Sequence, residues 1–144
     1  MRVSEILNTK GNDVITVKPD ETVAALSHTL REKRIGAVVV SSDGRKVLGI
    51  ISERDVAHGL AEHGANVLTK AVSELMTTAV VTCAADDTIA DLMKLMTNKR
   101  IRHLPVVENN DVIGIISVGD VVKHRLDEMQ LEANVLRDYA IASH

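Results

Sequence analysis

Two segments of the chain carry a serine followed three residues later by an aspartate: Ser52 with Asp55, and Ser117 with Asp120. This spacing predicts the start of a helix, where the hydroxyl accepts a hydrogen bond from a free backbone N–H and the carboxylate bonds back to the serine. A helix start also presents free N–H groups and the positive end of the helix dipole to a nearby phosphate. Capping and ligand binding are compatible, and the spacing alone favours capping.

The two serine–aspartate pairs belong to a unit that occurs twice. Residues 49–56 (GIISERDV) return as residues 114–121 (GIISVGDV). Three further segments repeat in the same order, namely 3–7 with 72–76, 20–23 with 86–89, and 33–35 with 99–101. The extra residues of the first copy lie near residues 8–12 and in the turn at 41–46, where loops tolerate insertions. We therefore expect two halves, each too small to bury a good core alone, to pack as one pseudo-symmetric body.

Composition is typical of a soluble globular protein. The chain has 144 residues, 45% hydrophobic and 26% charged, and no segment approaches the length of a membrane span. A formal net charge of −3 argues against a nucleic-acid partner, and the only aromatic residue, Tyr139, offers no platform for stacking bases. Because Cys83 is the only cysteine and the N-terminus lacks an apolar signal region, we expect a cytoplasmic protein with neither a membrane nor a nucleic acid as partner.

Local patterns predict the same helices and strands in both copies. Apolar residues at helical spacing predict a helix over residues 22–33, and Ile89, Leu92, Met93 and Met96 predict its counterpart. Short β-branched runs predict hairpins, at 37–40 with 47–51 and at 104–107 with 112–116. Pro105 indicates a strand start or edge, because proline cannot donate to a ladder.

A second helix is predicted after each hairpin, near Ser52 and Ser117, and Gly64 is a plausible end for the first. The order in each copy is strand, helix, strand, strand, helix, which gives an α+β fold with a small mixed sheet. We expect one repeat at 1–66, a second at 67–126, and a C-terminal helical extension at 127–144.

Neither a metal site nor a catalytic centre is predicted. The histidines show no i, i+4 pair of the kind that binds zinc on a helix. They are His28, His58, His63, His103, His124 and His144. Cys83 is expected to pack as a small hydrophobic residue. No nucleophile, base and orienting residue form a recognisable triad, so we expect no enzyme activity.

The chain closely resembles a tandem pair of cystathionine-β-synthase-type (CBS) domains, a Bateman module of the stand-alone bacterial type. Residues 35–40 (IGAVVV) with 49–56, and 101–107 (IRHLPVV) with 114–121, carry the resemblance, which covers roughly residues 3–126. It implies two clefts related by a pseudo-two-fold axis. It also implies a regulatory module that binds an adenosine nucleotide (AMP, ADP, ATP or NAD(H)) and has no catalytic cofactor.

The resemblance also assigns roles to individual residues. Asp55 and Asp120 would accept hydrogen bonds from the hydroxyls of ribose, while Arg54, Arg102 and His103 would bind phosphate. Strand residues would hold the adenine, because no aromatic side chain is available. The nucleotide-binding set implied is Val14, Ile15, Gly36, Ala37, Val38, Ser52, Glu53, Arg54, Asp55, Thr77, Val80, Val81, Arg102, His103, Leu104, Pro105, Ser117, Val118, Gly119 and Asp120.

Other residues have a simpler expected role. The cations Lys33, Arg34, Lys99 and Arg100 are expected to be solvated on the surface, and Val39 and Val106 to lie in core strands. Arg102 stands where the first copy has Gly36, and Val118 with Gly119 where it has Glu53 with Arg54, so the two clefts should differ in chemistry.

Beyond the second serine–aspartate pair, apolar residues step by alternating fours and threes, which is the spacing of a heptad seam. They are Val122, Leu126, Met129, Ala133, Leu136 and Ala140. The seam is short, so both docking on the chain's own surface and pairing with a second copy stay open. The family resemblance implies a homodimer and a protein target of unknown identity. The alternative function is a ligand-free dimerisation or interaction scaffold, in which the serine–aspartate pairs only cap helices.

Overall fold

The computed structural model describes residues 2–11 and 13–142. Asn12, in the predicted insertion, and His144, one of the six histidines, lie outside the described residues. The helices are α1 (Val3–Lys10), α2 (Val23–Lys33), α3 (Glu53–His63), α4 (Val72–Leu75), α5 (Ile89–Lys99) and α6 (Val118–Ala142), with a 3-10 segment at Gly64–Thr69. The strands are β1 (Thr16–Val17), β2 (Ala37–Val40), β3 (Gly49–Ser52), β4 (His103–Glu108) and β5 (Asp111–Ser117).

The first long helix of each repeat is built in the same way. Thr22 caps α2 by accepting a hydrogen bond from Ala25 N at 3.1 Å, and Thr88 caps α5 through Asp91 N at the same distance. Each helix ends at an arginine in the left-handed conformation, with φ of 54° at Arg34 and 55° at Arg100. These helices confirm the two predicted from apolar spacing. Their core-facing residues are Val23, Leu26, Leu30, Ile89, Leu92 and Met96.

The sheets differ between the repeats. In the first, β1 pairs parallel to β2, and β2 pairs antiparallel to β3. In the second, β4 and β5 form an antiparallel pair, and the first strand is reduced to one bridge between Cys83 and Val106. Cys83 N donates to Pro105 O at 3.0 Å. Because Pro105 has no N–H, the ladder cannot continue to the residues that precede Cys83. The predicted order of elements is therefore complete only in the first repeat, although the α+β fold is as expected.

The two repeats exchange their short first helices. Val3, Ile6 and Leu7 of α1 pack in the core of the second repeat, beside Leu92 and Leu104. In the other core, Val72 of α4 packs with residues of the first repeat, and partly buried Leu75 and Met76 pack against it. Backbone hydrogen bonds fix both exchanges: Val3 N donates to Asp87 O at 2.9 Å, and Val72 N donates to Glu21 O at 2.8 Å. Each core thus contains residues from both sequence repeats, while the division at residues 66 and 67 stays a prediction.

The last helix, α6, runs without a break from the second repeat into the predicted extension. It has 25 residues, and most of its apolar side chains are exposed, including Leu126, Met129 and Leu136. No helix in the described part of the chain is long and apolar enough to cross a bilayer. The C-terminal half of α6 therefore presents an apolar surface that the chain itself does not bury.

Candidate functional site

A cavity of about 300 Å³ lies between the two repeats. Its walls come from the start of β2, from β3 and the start of α3, from the segment after α4, and from the link between α5 and β4. It brings together eleven residues of the predicted set: Gly36, Ala37, Ser52, Glu53, Arg54, Asp55, Thr77, Val80, Val81, Arg102 and His103. It adds four that sequence reasoning did not assign to the ligand: Ile50, Ala79, Arg100 and Ile101.

Asp55 is fixed in this cavity by helix capping. Ser52 N donates to Asp55 Oδ2 at 2.9 Å, and Asp55 N donates to Ser52 Oγ at 3.4 Å, which makes the capping box predicted from the sequence. The Ser52 hydroxyl also donates to Oδ2, at 3.1 Å. The other carboxylate oxygen, Oδ1, accepts no hydrogen bond from any described residue. One oxygen therefore holds the helix start, while the second is available to a hydroxyl donor in the cavity.

Three arginines also line the cavity: Arg54, Arg100 and Arg102. No carboxylate oxygen lies within 4.0 Å of their guanidinium nitrogens among residues 2–11 and 13–142. The same three side chains line an adjoining cavity of about 400 Å³, whose other walls are mostly apolar residues of α5 and α6. Arg100 is exposed, as expected of a surface cation, and at the left-handed end of α5 it also lies at the cavity wall. The three guanidinium groups give the cavity wall the charge that a phosphate would need.

His103 of the second repeat lies next to Gly36 of the first. A Cβ atom built on Gly36 would lie 3.2 Å from His103 Nε2 and 3.5 Å from Glu53 Oε1, so glycine lets the two repeats approach closely here. Burial lowers the pKa of His103 below its ordinary 6.5, the nearby Lys10 and Arg102 lower it further, and Glu53 and Asp120 oppose them. His103 is therefore neutral at pH 7. It can offer a hydrogen bond, but no positive charge, to the phosphate that the family resemblance assigns to it.

The second serine–aspartate pair has a different environment. Ser117 N donates to Asp120 Oδ2 at 2.9 Å, and Asp120 N donates to Ser117 Oγ at 3.1 Å, so the predicted capping geometry is present. The same Oδ2 atom also accepts a hydrogen bond from Lys10 Nζ at 2.7 Å. Neither of the two cavities described above reaches Asp120. Its assignment to a ribose stays a prediction.

Several other predicted residues do not line the 300 Å³ cavity. Val38 and Leu104 are 1% and 0% exposed and pack in the two cores, so their side chains cannot contact an adenine as the sequence interpretation proposed. Pro105 is buried as well. Val118 lines the adjoining cavity instead. The remaining residues of the set are absent from both cavity walls: Val14, Ile15, Ser117, Gly119 and Asp120.

Among the described residues, neither Cys83 nor a histidine belongs to a group that could hold a metal ion. Cys83 is 6% exposed within a core, as expected of a small hydrophobic residue, and burial raises the pKa of its thiol to about 12. Within the described ranges, no group of three His, Cys, Asp or Glu side chains is arranged to hold a metal ion.

Two α+β repeats that exchange helices and share a cavity define a paired, pseudo-symmetric binding fold. The family model described as "CBS domain" matches residues 3–62 and 72–127, and the chain belongs to that family as a pair of CBS repeats.

Relatives agree with this membership. The chain is 33% identical over 124 residues to the uncharacterized protein MK0525 of Methanopyrus kandleri, a match that covers 85% of this chain and 63% of that protein. The chain thus matches slightly less than two thirds of that relative's length.

Solved structures agree as well. The CBS-domain containing protein ATU1752 of Agrobacterium tumefaciens has a TM-score of 0.83 and 48% identity, covering 87% of this chain and 99% of that one. The CBS domain pair of protein MJ0100 has a TM-score of 0.79 and 25% identity, covering 89% and 98%. That structure contains 5′-methylthioadenosine and S-adenosyl-L-methionine. Paired CBS repeats of this fold therefore include one that binds adenosine-containing ligands.

Proposed function

We propose that this chain is a regulatory module that binds an adenine nucleotide, of the AMP, ADP, ATP or NAD(H) type, in the cavity between its repeats, without catalysing a reaction. The observation that carries the proposal is the position of Asp55. Its capped carboxylate faces the same cavity as three arginines, with Oδ1 unused by the described residues. Carboxylate oxygens suit ribose hydroxyls, and guanidinium groups suit phosphate.

Regulation would follow from where the cavity lies. Residues of both repeats line it, with Asp55 from the first and Arg102 from the second. A ligand that contacts both repeats stabilises one relative arrangement only if it binds that arrangement more tightly than others. Occupancy would then change the surface that α5 and α6 present to a protein target.

The charge of the cavity favours a phosphorylated ligand over the compounds bound by MJ0100. Neither 5′-methylthioadenosine nor S-adenosyl-L-methionine carries a phosphate, whereas Arg54, Arg100 and Arg102 meet in this cavity without a described carboxylate partner. A cationic ligand would be repelled by three guanidinium groups, while a phosphate would make charge-assisted hydrogen bonds with them. We therefore expect AMP to bind more tightly than adenosine, and S-adenosyl-L-methionine to bind poorly.

Isothermal titration calorimetry with AMP, adenosine and S-adenosyl-L-methionine tests this order. Arg100→Gln should weaken AMP binding by about tenfold, from the loss of a charge-assisted hydrogen bond, and should leave adenosine binding unchanged. Arg34→Gln is the matched control, because Arg34 ends α2 in the same left-handed conformation and lines neither cavity. Equal affinity for AMP and adenosine would refute the assignment of the arginines to phosphate. Absence of binding by all adenine nucleotides would leave the scaffold as the function.

The scaffold alternative is favoured by one observation, the exposed apolar face of α6. Leu126, Met129 and Leu136 are 59%, 51% and 68% exposed and follow the heptad spacing. Such a seam is suited to a second copy of the same helix, and we propose that the chain forms a homodimer through it. Dimerisation and nucleotide binding use different parts of the chain, so one module can do both.

A further inference from the structure

Lys10 of α1 reaches across to the second repeat, where its ammonium group makes two hydrogen bonds. Nζ donates to Asp120 Oδ2 at 2.7 Å and to Ile115 O at 2.8 Å. The counterparts of these two acceptors in the first half are Asp55 and Ile50. Both counterparts line the cavity proposed for the nucleotide. The ammonium therefore bonds, in the second half, the counterpart of the carboxylate that we assign to the ribose in the first.

The equivalence of the two halves holds in space as well as in sequence. A Cβ atom built on Gly49 would collide with the side chain of Met76, and one built on Gly114 would collide with the side chain of Leu7, the counterpart of Met76. Three residues after Met76 comes Ala79, which lines the cavity. The residue three positions after Leu7 is Lys10. Lys10 thus falls among residues 8–12, where the first copy carries its extra residues, so its ammonium is a feature that the other half does not repeat.

The lengths of the exchanged helices explain this difference. The short helix α4 has four residues and ends at Leu75, after which Thr77 N donates to Ile50 O at 2.9 Å. Its counterpart α1 has eight residues and continues to Lys10. The carbonyl of Ile115, which corresponds to that of Ile50, is bonded by the lysine ammonium. The longer helix therefore carries a cation into the second cleft.

The ion pair with Lys10 uses the carboxylate of Asp120, to which a ribose would have to bind. Burial by itself would raise the pKa of Asp120, but the hydrogen bonds from Lys10 and from the backbone of Ser117 lower it overall, so the carboxylate is ionised at neutral pH. The Asp120 side chain is 25% exposed and that of Lys10 is 38% exposed, so solvent screens the pair only in part. A ribose would have to displace an ammonium from Asp120, whereas Asp55 has no such competitor among the described residues.

We propose that Lys10 keeps the second cleft closed to ligands, so that each chain binds one adenine nucleotide instead of two. The inference rests on the proposed function for the nature of the ligand. Lys10→Ala removes the ammonium from Asp120, and it should open a second site. The counterparts of Arg54 and Arg102 on that side are Gly119 and Gly36, so the new site should hold AMP less tightly than the first.

Equilibrium dialysis with radiolabelled AMP, carried to saturation, measures the number of sites directly. We expect one AMP per chain for the unmodified protein and two for Lys10→Ala. Lys10→Arg keeps a cation in place and should bind one. In the double variant Lys10→Ala/Asp120→Ala the second site should be lost again. Lys46→Ala is the matched control, because it breaks another partly exposed ion pair, with 2.8 Å between Lys46 Nζ and Asp111 Oδ1, and should leave the number at one.

The possible outcomes separate this inference from the proposed function. Two AMP molecules on the unmodified protein, or one on a Lys10→Ala variant with unchanged circular dichroism, would overturn the closure by Lys10 and leave the first site standing. Loss of AMP from Lys10→Ala would make Lys10 a ligand contact and would also overturn it. If the Lys10→Ala variant bound AMP and the unmodified protein did not, the result would support the closure and refute the first site. No binding by either protein would refute both.

Discussion

Replacing Asp55 by alanine should separate its two tasks, capping α3 and binding the ligand. The carboxylate uses Oδ2 for the cap, where it accepts from Ser52 N at 2.9 Å, and leaves Oδ1 for a ribose hydroxyl. A hydrogen bond to a charged group contributes about 1.5 to 3 kcal/mol. Since about 1.4 kcal/mol is a factor of ten in affinity, Asp55→Ala should weaken AMP binding roughly 10- to 150-fold. Loss of the cap should also lower the free energy of unfolding, by about 1 kcal/mol.

The second repeat provides the control for the loss of capping. Asp120→Ala removes the corresponding cap, where Asp120 accepts from Ser117 N at 2.9 Å, and also the ion pair with Lys10. It should lower the free energy of unfolding at least as much as Asp55→Ala, yet leave the affinity for AMP at the first site unchanged. Urea unfolding and calorimetric titration at 25 °C measure the two quantities on the same samples. Reversible unfolding raises the apparent dissociation constant only by the inverse of the folded fraction, which the urea curve gives, so the two effects can be distinguished.

Two results would refute this reasoning. If Asp55→Ala bound AMP with the affinity of the unmodified protein, Asp55 would be a helix cap and nothing more. If Asp55→Ala and Asp120→Ala weakened the first site equally, the effect would come from the fold and not from contact with the ribose.

Two further predictions concern packing and assembly. Alanine at Gly49 would place a Cβ 2.9 Å from the backbone carbonyl of Thr77, while alanine at Gly114 would meet only the flexible end of a leucine side chain. Urea unfolding should therefore show a loss of about 2 kcal/mol for Gly49→Ala and under about 1 kcal/mol for Gly114→Ala, and equal losses would contradict the backbone clash. Leu136→Glu should raise the dimer dissociation constant by tenfold or more, from lost burial of a leucine. Analytical ultracentrifugation measures this, with Leu131→Glu, off the seam, as the control that should have no effect.

The sequence predicted the parts of the fold that local patterns control. The apolar spacing of α2 and α5 and the serine–aspartate capping geometry follow from interactions within a few residues, and both appear in the structure. Met93 belongs to the apolar spacing that predicted α5, yet it is 43% exposed. Spacing defines a stripe on a helix, but the neighbouring elements determine how wide a stripe they cover.

The sequence predicted the serine–aspartate motif of the candidate site, but it predicted the other residues of the cavity wall less completely. The start of α3 follows directly from the repeated segment, so the sequence predicts that Asp55 lies at a helix start. The position of Arg100 was not predicted, because a cation at the end of a helix is most often solvated, and only the packing of α5 against the first repeat brings it to the cavity. His103 was expected to bind phosphate, and because burial lowers its pKa it would do so as a neutral hydrogen-bonding group.

By itself, the sequence determined that one α+β unit is written twice, where α2, α3 and α5 begin, and which aspartates lie at the start of α3 and α6. The short helices α1 and α4 were not predicted. The predicted features depend on neighbours in the chain, and such neighbours interact in any conformation that forms the helix. The tertiary structure alone decided that the first helices are exchanged and that Lys10 meets Asp120, 110 residues away. Contacts at that separation depend on the length of α1 and on the packing of both repeats, because no local rule relates residues so far apart in the chain.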